Sequence, residues 1–210
     1  MELIPNIFKA YDIRGLVDTE IDADFAFATG LAFARFLQIE REPGTIVIGE
    51  DMRPSSPELA DAFSAGATSL GMDVIRIGLA STDMLYFASG KLGLPGAMFT
   101  ASHNPAQWNA LKLLNDAGEF ISDAAGKAML ELAENLDFVF AEVTQLGKIT
   151  HDDSFLQQHI DHVLGLRWVD TSAIQAKNFK VLVDAVNSTG GIVVPQLLHA
   201  LGVNEVDVIF

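Results

Sequence analysis

The most informative segment for the fold of this chain is residues 96–112, which read GAMFTASHNPAQWNALK. The segment begins with a short apolar run at 97–99 and continues into a polar loop that contains Ser102 and His103. An apolar run bounded by glycine and by Asn-Pro predicts a buried strand that enters a loop. In open α/β sheets, ligands bind at the carboxyl ends of the strands, where such loops lie. The pattern therefore makes Ser102 a candidate nucleophile.

Helix and strand patterns alternate in the part of the chain that precedes this segment. Apolar residues recur at helical spacing near the amino terminus, and β-branched runs such as TIVIG at 45–49 predict buried strands. The predicted helices span residues 22–37, 55–70 and 82–93, and the predicted strands span 45–49, 74–78 and 97–99. This alternation predicts an α/β domain with a largely parallel sheet and right-handed crossovers.

The pattern changes after the loop. Leucines at 111, 113 and 114 surround Lys112, and a turn sequence follows at 115–118, which together predict a hairpin at an edge of a mixed sheet. On that strand Lys112 would point away from the leucines and could reach Ser102, although a lysine that blunts an exposed edge is the alternative. Further predicted elements are helices at 122–136 and 152–166, an irregular or strand-like connector at 141–150, a strand at 179–183, a helix that ends at 201, and a strand at 206–210.

Polar residues mark the predicted helix ends. Ser55 and Glu58 have the spacing of a capping box, and Thr82 is the predicted cap of the next helix. Two histidines, His159 and His162, are spaced i, i+3 on a later helix. This spacing can hold a metal, but no carboxylate motif surrounds the pair, so we predict a structural or exposed role for both.

Composition excludes several classes of protein. The 210 residues include 13 basic and 28 acidic side chains, for a formal net charge of −15, and no basic face for nucleic acid is visible. There is no Cys, so disulfides and thiolate chemistry are excluded. The amino terminus lacks a basic region followed by a long apolar stretch, and no run approaches the roughly 20 apolar residues of a membrane span. We therefore expect a cytoplasmic protein without nucleic-acid or membrane partners.

Two arginines lie in sequences that suit phosphate binding. Arg14 precedes a glycine in the phrase FKAYDIRG at 8–15, and Arg53 follows the predicted strand in GEDMR at 49–53. A guanidinium can meet a phosphate with two parallel hydrogen bonds. Pairing with a nearby carboxylate is the alternative for each arginine, and for Arg53 the partner would be Asp51 or Glu50.

Several of these phrases together resemble one enzyme family. TASHNP followed by Asn-Ala-x-Lys is similar to the active-site serine loop of the α-D-phosphohexomutases, and FKAYDIRG and GEDMR resemble other motifs of the same family. The sequence VDAVNS at 183–188 is a looser match to the start of the family's second domain, because Val186 and Ser188 replace glycines. Ala110 also stands where the family has glycine, and it would be strained if that position needed a positive φ.

The resemblance implies a three-layer αβα fold with a mostly parallel, mixed sheet flanked by helices. Residues 1–150 would form the family's first domain, which carries the serine loop, and residues 151–210 a linker and an incomplete second domain. The phrases resemble bacterial phosphomannomutase/phosphoglucomutase proteins most. Because the family's aspartate-rich metal loop is not found in this sequence, we expect the 210 residues alone to be inactive, and we expect self-association through the incomplete domain.

The resemblance also implies a phosphohexomutase mechanism. Ser102 would carry a phosphoryl group and exchange it between the 1- and 6-positions of a hexose phosphate, through glucose or mannose 1,6-bisphosphate. The residues expected at the reacting group are Ser102, His103, Lys112 and Arg14, and those expected to bind phosphate are Arg53, Asn104 and Thr100. Mg²⁺ would contact Ser102 through its phosphoryl group, with its other ligands outside this sequence.

Two other classes of protein remain open at this point. A serine hydrolase would need a Gly-x-Ser-x-Gly elbow, which Ala101-Ser102-His103 does not supply. A non-catalytic protein that binds phosphosugars, or that assembles with a partner chain, is the second alternative.

Overall fold

The computed structural model describes Ile7 and residues 12–40, 44–135 and 138–210, so residues 8–11 of the FKAYDIRG phrase lie outside the described part. The strands of the described residues are β1 (Ile13–Leu16), β2 (Thr45–Glu50), β3 (Asp73–Leu79), β4 (Gly96–Phe99), β5 (Trp108–Leu114), β6 (Ile149–His151), β7 (Lys180–Asp184) and β8 (Glu205–Ile209). The helices are α1 (Ala23–Glu40), α2 (Ser56–Ser69), α3 (Thr82–Leu92), α4 (Asp123–Glu134), α5 (Phe155–Leu164), α6 (Thr171–Ala176) and α7 (Gly190–Ala200).

The main sheet has six strands in the order β1-β5-β4-β2-β3-β6. Strands β4, β2, β3 and β6 are parallel, whereas β5 is antiparallel to both β4 and β1, so the predicted mixed sheet is confirmed. The prediction of an edge hairpin was wrong in one respect, because β1 covers the outer side of β5. Lys112 therefore lies on an inner strand and is 9% exposed, which rules out the edge-blunting alternative.

The connector at 141–150 contains a strand that the sequence pattern only partly indicates. Within it, β6 pairs in parallel with β3, and Thr150 lies opposite Ile75. The predicted domain boundary after residue 150 thus falls inside a strand of the main sheet.

Helices cover both faces of this sheet because its central strands are apolar on both faces. In β2, Ile46 and Ile48 pack into the core formed with α1, α2 and α4, whereas Val47 packs into the core formed with α3 and α5. In β4, Phe99 faces the first core and Met98 the second. The alternation produces the three-layer αβα architecture that the sequence predicts.

Helices α1 and α2 touch through two glycines. A Cβ atom placed on Gly30 of α1 would lie 2.2 Å from the carbonyl oxygen of Phe63, and one placed on Gly66 of α2 would lie 2.2 Å from that of Phe27. The helix backbones approach this closely only because both side chains are hydrogen atoms.

Some predicted helix ends differ from the observed ones. Ser122 caps α4, since its hydroxyl accepts a hydrogen bond from the Ala125 N–H at 3.2 Å. The prediction of a capping box at the start of α2 was wrong, because Ser55 has helical backbone angles and makes no side-chain cap. The cap position of α3 is Ser81 rather than Thr82.

The last strands form a separate two-stranded parallel sheet, β7-β8, against which α7 packs. Its other face is open: Leu182 is 62% exposed, and Ile209, which the register places on the same face, is also exposed. The strand-to-helix turn after β7 places Val186 at φ 46° and Asn187 at φ 56°, in the left-handed region. Val186, which replaces a glycine of the family motif, therefore sits in a conformation that β-branched residues adopt at a cost.

Candidate functional site

The serine loop lies at the carboxyl edge of the sheet, beside the loop that follows β2. The parallel register places Glu50 opposite Phe99, and the Asp51 N–H donates to the Phe99 carbonyl at 3.0 Å. Residues 100–107 and 51–55 therefore emerge side by side at the edge where open α/β sheets bind ligands. The two loops thus share one rim of the sheet.

Ser102 has an exposed side chain and a left-handed backbone, with φ at 56°. Its N–H donates to the Thr100 hydroxyl oxygen at 3.1 Å, and Thr100 is itself buried. The Ser102 Oγ lies 3.4 Å from His103 Nδ1, which is long for a hydrogen bond. A strained backbone in a non-glycine residue is a feature that clusters at functional sites.

Ala110 does not have the positive φ that would strain it; in the serine loop that conformation occurs at Ser102. Ala110 belongs to β5 and pairs in register with Arg14, and it is not among the described residues with positive φ. The residue of the serine loop that does adopt positive φ is Ser102. Alanine at position 110 is thus compatible with an ordinary strand.

Arg53 binds the main chain of the serine loop. Its Nε lies 3.2 Å from Asp51 Oδ2, which identifies Asp51 as its carboxylate partner, while Glu50 pairs with Arg76. Both terminal nitrogens donate to main-chain carbonyls of the loop. The acceptors are Ser102 at 2.9 Å, Asn104 at 2.7 Å, Pro105 at 2.9 Å and Trp108 at 3.0 Å. A direct contact between Arg53 and a phosphate, as predicted, would require at least one of these bonds to be released.

A second network of side chains supports the base of both loops. Asn109, which is fully buried, donates to the hydroxyl oxygens of Ser55 at 2.8 Å and Ser56 at 3.0 Å. The Ser56 hydroxyl in turn donates to Asp51 Oδ1 at 2.7 Å. The same carboxylate oxygen accepts a hydrogen bond from the main-chain N–H of Arg53 at 3.0 Å. The loop after β2 is thereby tied to the start of β5.

A cluster of three charged side chains lies beside the loop. Asp12 Oδ2 accepts hydrogen bonds from Arg14 Nη2 at 2.5 Å and from Lys112 Nζ at 2.9 Å. Arg14 also donates from Nη1 to Asn104 Oδ1 at 2.6 Å. Lys112 is therefore connected to the serine loop through Asp12, Arg14 and Asn104. Two cations and one carboxylate leave one positive charge at this point of an acidic protein.

The two cations control the ionisation of Asp12. Burial alone raises the pKa of this carboxyl group, but the hydrogen bonds and charges of Lys112 and Arg14 outweigh burial, and the pKa lies below its ordinary value. Tyr86 lies nearby, and its pKa is raised by burial and by the negative charges of Asp12 and Asp83. Asp12 is thus ionised at neutral pH and holds both cations in place.

The sequence identified most of these residues but missed two. The serine loop, Arg14 and Lys112 meet in one region, as expected. Asp12 and Asn109 were not predicted as site residues, because their roles depend on partners far along the chain. The only local signal for Asp12 is its spacing of two residues from Arg14, which places both side chains on the same face of an extended segment.

The described residues of this chain do not assemble a metal site. Across residues 12–40, 44–135 and 138–210, no group of three or more His, Asp or Glu side chains is placed to hold a metal ion. Asp12, the carboxylate of the charged cluster, is occupied by Arg14 and Lys112. Ser102 therefore remains the one predicted contact of this chain with Mg²⁺, and only through a phosphoryl group. The rings of His159 and His162 pack against Phe87, with centroids 5.2 and 5.0 Å from that of Phe87, and His162 is exposed.

No helix in the described part of the chain combines the length and the apolar character that crossing a bilayer requires.

Comparisons with known proteins agree on one family. Residues 5–140 match the model of the phosphoglucomutase/phosphomannomutase α/β/α domain I. The chain is 34% identical to a phosphoglucomutase/phosphomannomutase of Thermococcus kodakarensis over 204 residues, which covers 96% of this chain and 44% of the relative. It is 35% identical to a phosphomannomutase of Escherichia coli, over 97% of this chain and 43% of that protein.

Solved structures agree with the sequence relatives. A phosphoglucomutase/phosphomannomutase family protein from Burkholderia thailandensis superposes with a TM-score of 0.83 at 27% identity, covering 99% of this chain and 44% of that one. The chain thus spans less than half the length of the relatives it matches. With its αβα layers and the serine loop at the carboxyl edge of its sheet, the chain belongs to the phosphoglucomutase/phosphomannomutase family, and its residues 5–140 match that family's first α/β/α domain.

Proposed function

We propose that this chain supplies the phosphoryl-carrying serine of a phosphohexomutase that acts on mannose phosphate, glucose phosphate or both. Ser102 would carry the phosphoryl group, and a hexose 1,6-bisphosphate would be the intermediate. The observation that supports this most is the placement of the strained, exposed Ser102 beside Arg14 and the Asp12–Lys112 pair at the ligand-binding edge of the sheet. The names of the relatives supply the substrate class.

The proposed transfer needs no change in the net number of protons. The bond between Ser102 Oγ and phosphorus breaks, a bond forms between phosphorus and a free hydroxyl oxygen of the sugar phosphate, and the hydroxyl proton finally reaches Ser102 Oγ. The transferring group carries two negative charges, so its stabilisation depends on preorganised cations. Arg14, held by Asp12 and Asn104, is the cation of this chain connected most directly to the loop.

His103 is our candidate for handling that proton. Its Nδ1 lies 3.4 Å from Ser102 Oγ, and catalytic hydrogen bonds are often long before a substrate is bound. Lys112 would contribute positive charge through the cluster rather than by direct contact. Thr100 and Asn104 would hold the loop backbone in shape, since their side chains are already bonded to Ser102 N and Arg14.

We propose further that the 210 residues alone turn over hexose phosphates poorly or not at all. The described residues provide no metal-binding cluster, and the chain spans about 44% of its relatives. The open face of β7-β8 would favour self-association of this piece. A non-catalytic role in binding phosphosugars, or in assembly with a partner chain, is the alternative.

Transfer to Ser102 is the direct test. The protein encoded by the complete reading frame that contains these residues is incubated with glucose or mannose 1,6-bisphosphate and Mg²⁺, and peptides are analysed by mass spectrometry. We expect phosphate on Ser102 and mutase activity with the corresponding monophosphates. Ser102→Ala should lose both, while Ser122→Ala, which changes only a distant helix cap, should retain both.

The same assay on the 210-residue chain separates the alternatives. Robust Mg²⁺-dependent turnover by this chain would refute the proposal that it is inactive alone. Turnover by the full-length protein with phosphate on a residue other than Ser102 would refute the assignment of the serine. If the reading frame ends at Phe210 and neither phosphate transfer nor turnover occurs, the binding or assembly role is favoured.

A further inference from the structure

We propose that Arg53 is a positioning residue for Ser102: its guanidinium, donating to three carbonyls of the serine loop and to that of Trp108 at the start of β5, holds Ser102 in the left-handed conformation and turns the following N–H outward. The catalytic meaning of this arrangement rests on the proposed function. The geometry itself does not, and it can be tested without a sugar phosphate.

The loop closes around one side chain. Each terminal nitrogen of Arg53 has two N–H groups, and the four donors match four acceptors in residues 102–108. The guanidinium is planar and presents its donors in a fixed fork, so it specifies both the distance and the direction of each carbonyl. A lysine ammonium could supply the charge but not this pattern.

The anchored carbonyls determine where the neighbouring N–H groups point. In a planar trans peptide the C=O and the following N–H point in opposite directions. The Ser102 carbonyl faces the guanidinium at 2.9 Å, so the His103 N–H faces away from it. The N–H groups of Ser102 and Asn104 are bonded within the loop to Thr100 Oγ1 and the Ala101 carbonyl, so the His103 N–H is the one that this arrangement directs outward, as a donor that an anion could meet. Arg53 therefore shapes the loop around the proposed phosphoryl group without contacting that group.

Two observations distinguish Arg53 from an ordinary surface arginine. Its side chain is only 12% exposed, and Asp51, whose Oδ2 lies 3.2 Å from Nε, is 7% exposed. Asp51 is in turn fixed by Ser56, and Ser56 by Asn109 of β5. The guanidinium is thus oriented by the rigid sheet, and it transmits that orientation to a loop that contains strain at Ser102.

A unique thiol at position 102 gives a direct readout. Because the chain contains no Cys, Ser102→Cys introduces the only thiol, whose pKa and rate of alkylation by iodoacetamide report the environment of that atom. In this background Arg53 is changed to Lys and, separately, to Gln. Arg167→Gln is the matched control, since it removes one positive charge from an exposed arginine that stacks on Trp168.

We expect both Arg53 variants to raise the pKa of the introduced thiol and to slow its alkylation at neutral pH by about tenfold, the change that one pKa unit of thiolate population produces. Arg167→Gln should leave both quantities unchanged. If Arg53→Lys keeps the parent pKa and rate, charge alone suffices and the proposal is overturned. If both Arg53 variants melt at a lower temperature but keep the parent pKa and rate, Arg53 is merely structural, which also overturns it.

Hydrogen exchange provides a second measurement in the protein with native Ser102. In Arg53→Lys the amides of Ser102 and Asn104, bonded to Thr100 Oγ1 and the Ala101 carbonyl, should exchange faster, while the amides of β2 should not change. Unchanged exchange in the loop would contradict the proposal even if a cysteine variant failed to fold. Neither experiment requires phosphoryl transfer, so failure of the proposed function would not be mistaken for failure of this inference.

Discussion

The contact between α1 and α2 offers the sharpest test of how this domain is packed. We consider Gly30→Ala and Gly66→Ala, each of which adds one methyl group to a helix. At either position the new Cβ atom would lie 2.2 Å from a main-chain carbonyl oxygen, whereas ordinary contacts begin at 3.4 Å. The difference, 3.4 − 2.2 = 1.2 Å, has to be created by moving helix backbones, because no flexible side chain is available to yield.

Two opposing terms determine the magnitude. Overpacking a well-packed core costs about 1–3 kcal/mol, and a rigid backbone neighbour puts these sites at the upper end of that range. Alanine has a higher helix propensity than glycine by about 1 kcal/mol, which offsets part of the cost. We therefore expect each variant to lose about 2 kcal/mol of unfolding free energy, with a melting temperature about 4–8 °C lower for a chain of this size.

Gly126→Ala is the matched control. Gly126 also lies inside a helix, α4, but a Cβ atom there would meet no atom within 4 Å. This variant should gain up to about 1 kcal/mol from helix propensity alone. Urea unfolding followed by far-ultraviolet circular dichroism, with the melting temperature as a second measure, distinguishes the two classes of site.

The double variant tests whether the two glycines belong to one contact. Once the first methyl group has separated the helices, the second should cost less, so the combined loss should fall short of the sum of the single losses. Gly30→Ala with the stability of the parent or higher would refute the close approach of α1 and α2. A loss in Gly126→Ala as large as that in Gly66→Ala would refute the steric reasoning.

The remaining predictions concern backbone strain, the charged cluster and the buried amide. Val186→Gly should raise the free energy of unfolding by about 1 kcal/mol in urea titrations, because it removes a β-branched side chain from a left-handed backbone. Asn187→Gly is the control and should change the free energy of unfolding by only about a few tenths of a kcal/mol. A lower free energy of unfolding in Val186→Gly would contradict the assigned strain. Asp12→Asn should lower stability at pH 7 by about 3 kcal/mol, because it leaves the buried Lys112 ammonium without its carboxylate. The pKa of Asp12 is lower in the folded state than its unfolded value of 3.8, so the stability that its carboxylate contributes is present above pH 3.8 and is lost as the pH falls through the folded pKa. The parent and Asp12→Asn should therefore converge in stability in acid. A constant difference between them at all pH values would contradict this. Asn109→Ala should cost about 1–3 kcal/mol in the same titrations, since the buried Ser56 hydroxyl and the half-buried Ser55 hydroxyl lose their donor. An unchanged stability would show that this network does not support the loops.

Local sequence was sufficient for most of the helices and strands. The periodicity of apolar residues depends on neighbours within a few positions, so β2, β3 and α3 could be placed to within about two residues of their observed ends. The short strand β6 was only partly indicated, since the connector at 141–150 could be irregular or strand-like. Its three residues are all exposed, so they carry no apolar pattern, and only pairing with β3 makes them a strand.

The chemistry of the serine loop was also accessible from the sequence. The phrase around Ser102 named the family, and the parallel strands implied that the loop and Arg53 would share one edge. The helix caps were less certain from sequence, because Ser55 offers a capping pattern locally but engages Asn109 in the folded protein.

Tertiary structure alone decided how the site is built. Lys112 meets Asp12 across a separation of 100 residues, and Arg53 meets the serine loop across about 50, so no local pattern encodes either contact. The left-handed conformation belongs to Ser102 rather than to position 110, because four distant donors hold the loop in that shape. Sequence determines which residues are available and which segments are regular, since both depend on chemistry near each residue. Which side chains converge on Ser102 depends on the packing of the whole sheet, since only the completed sheet brings these distant segments together.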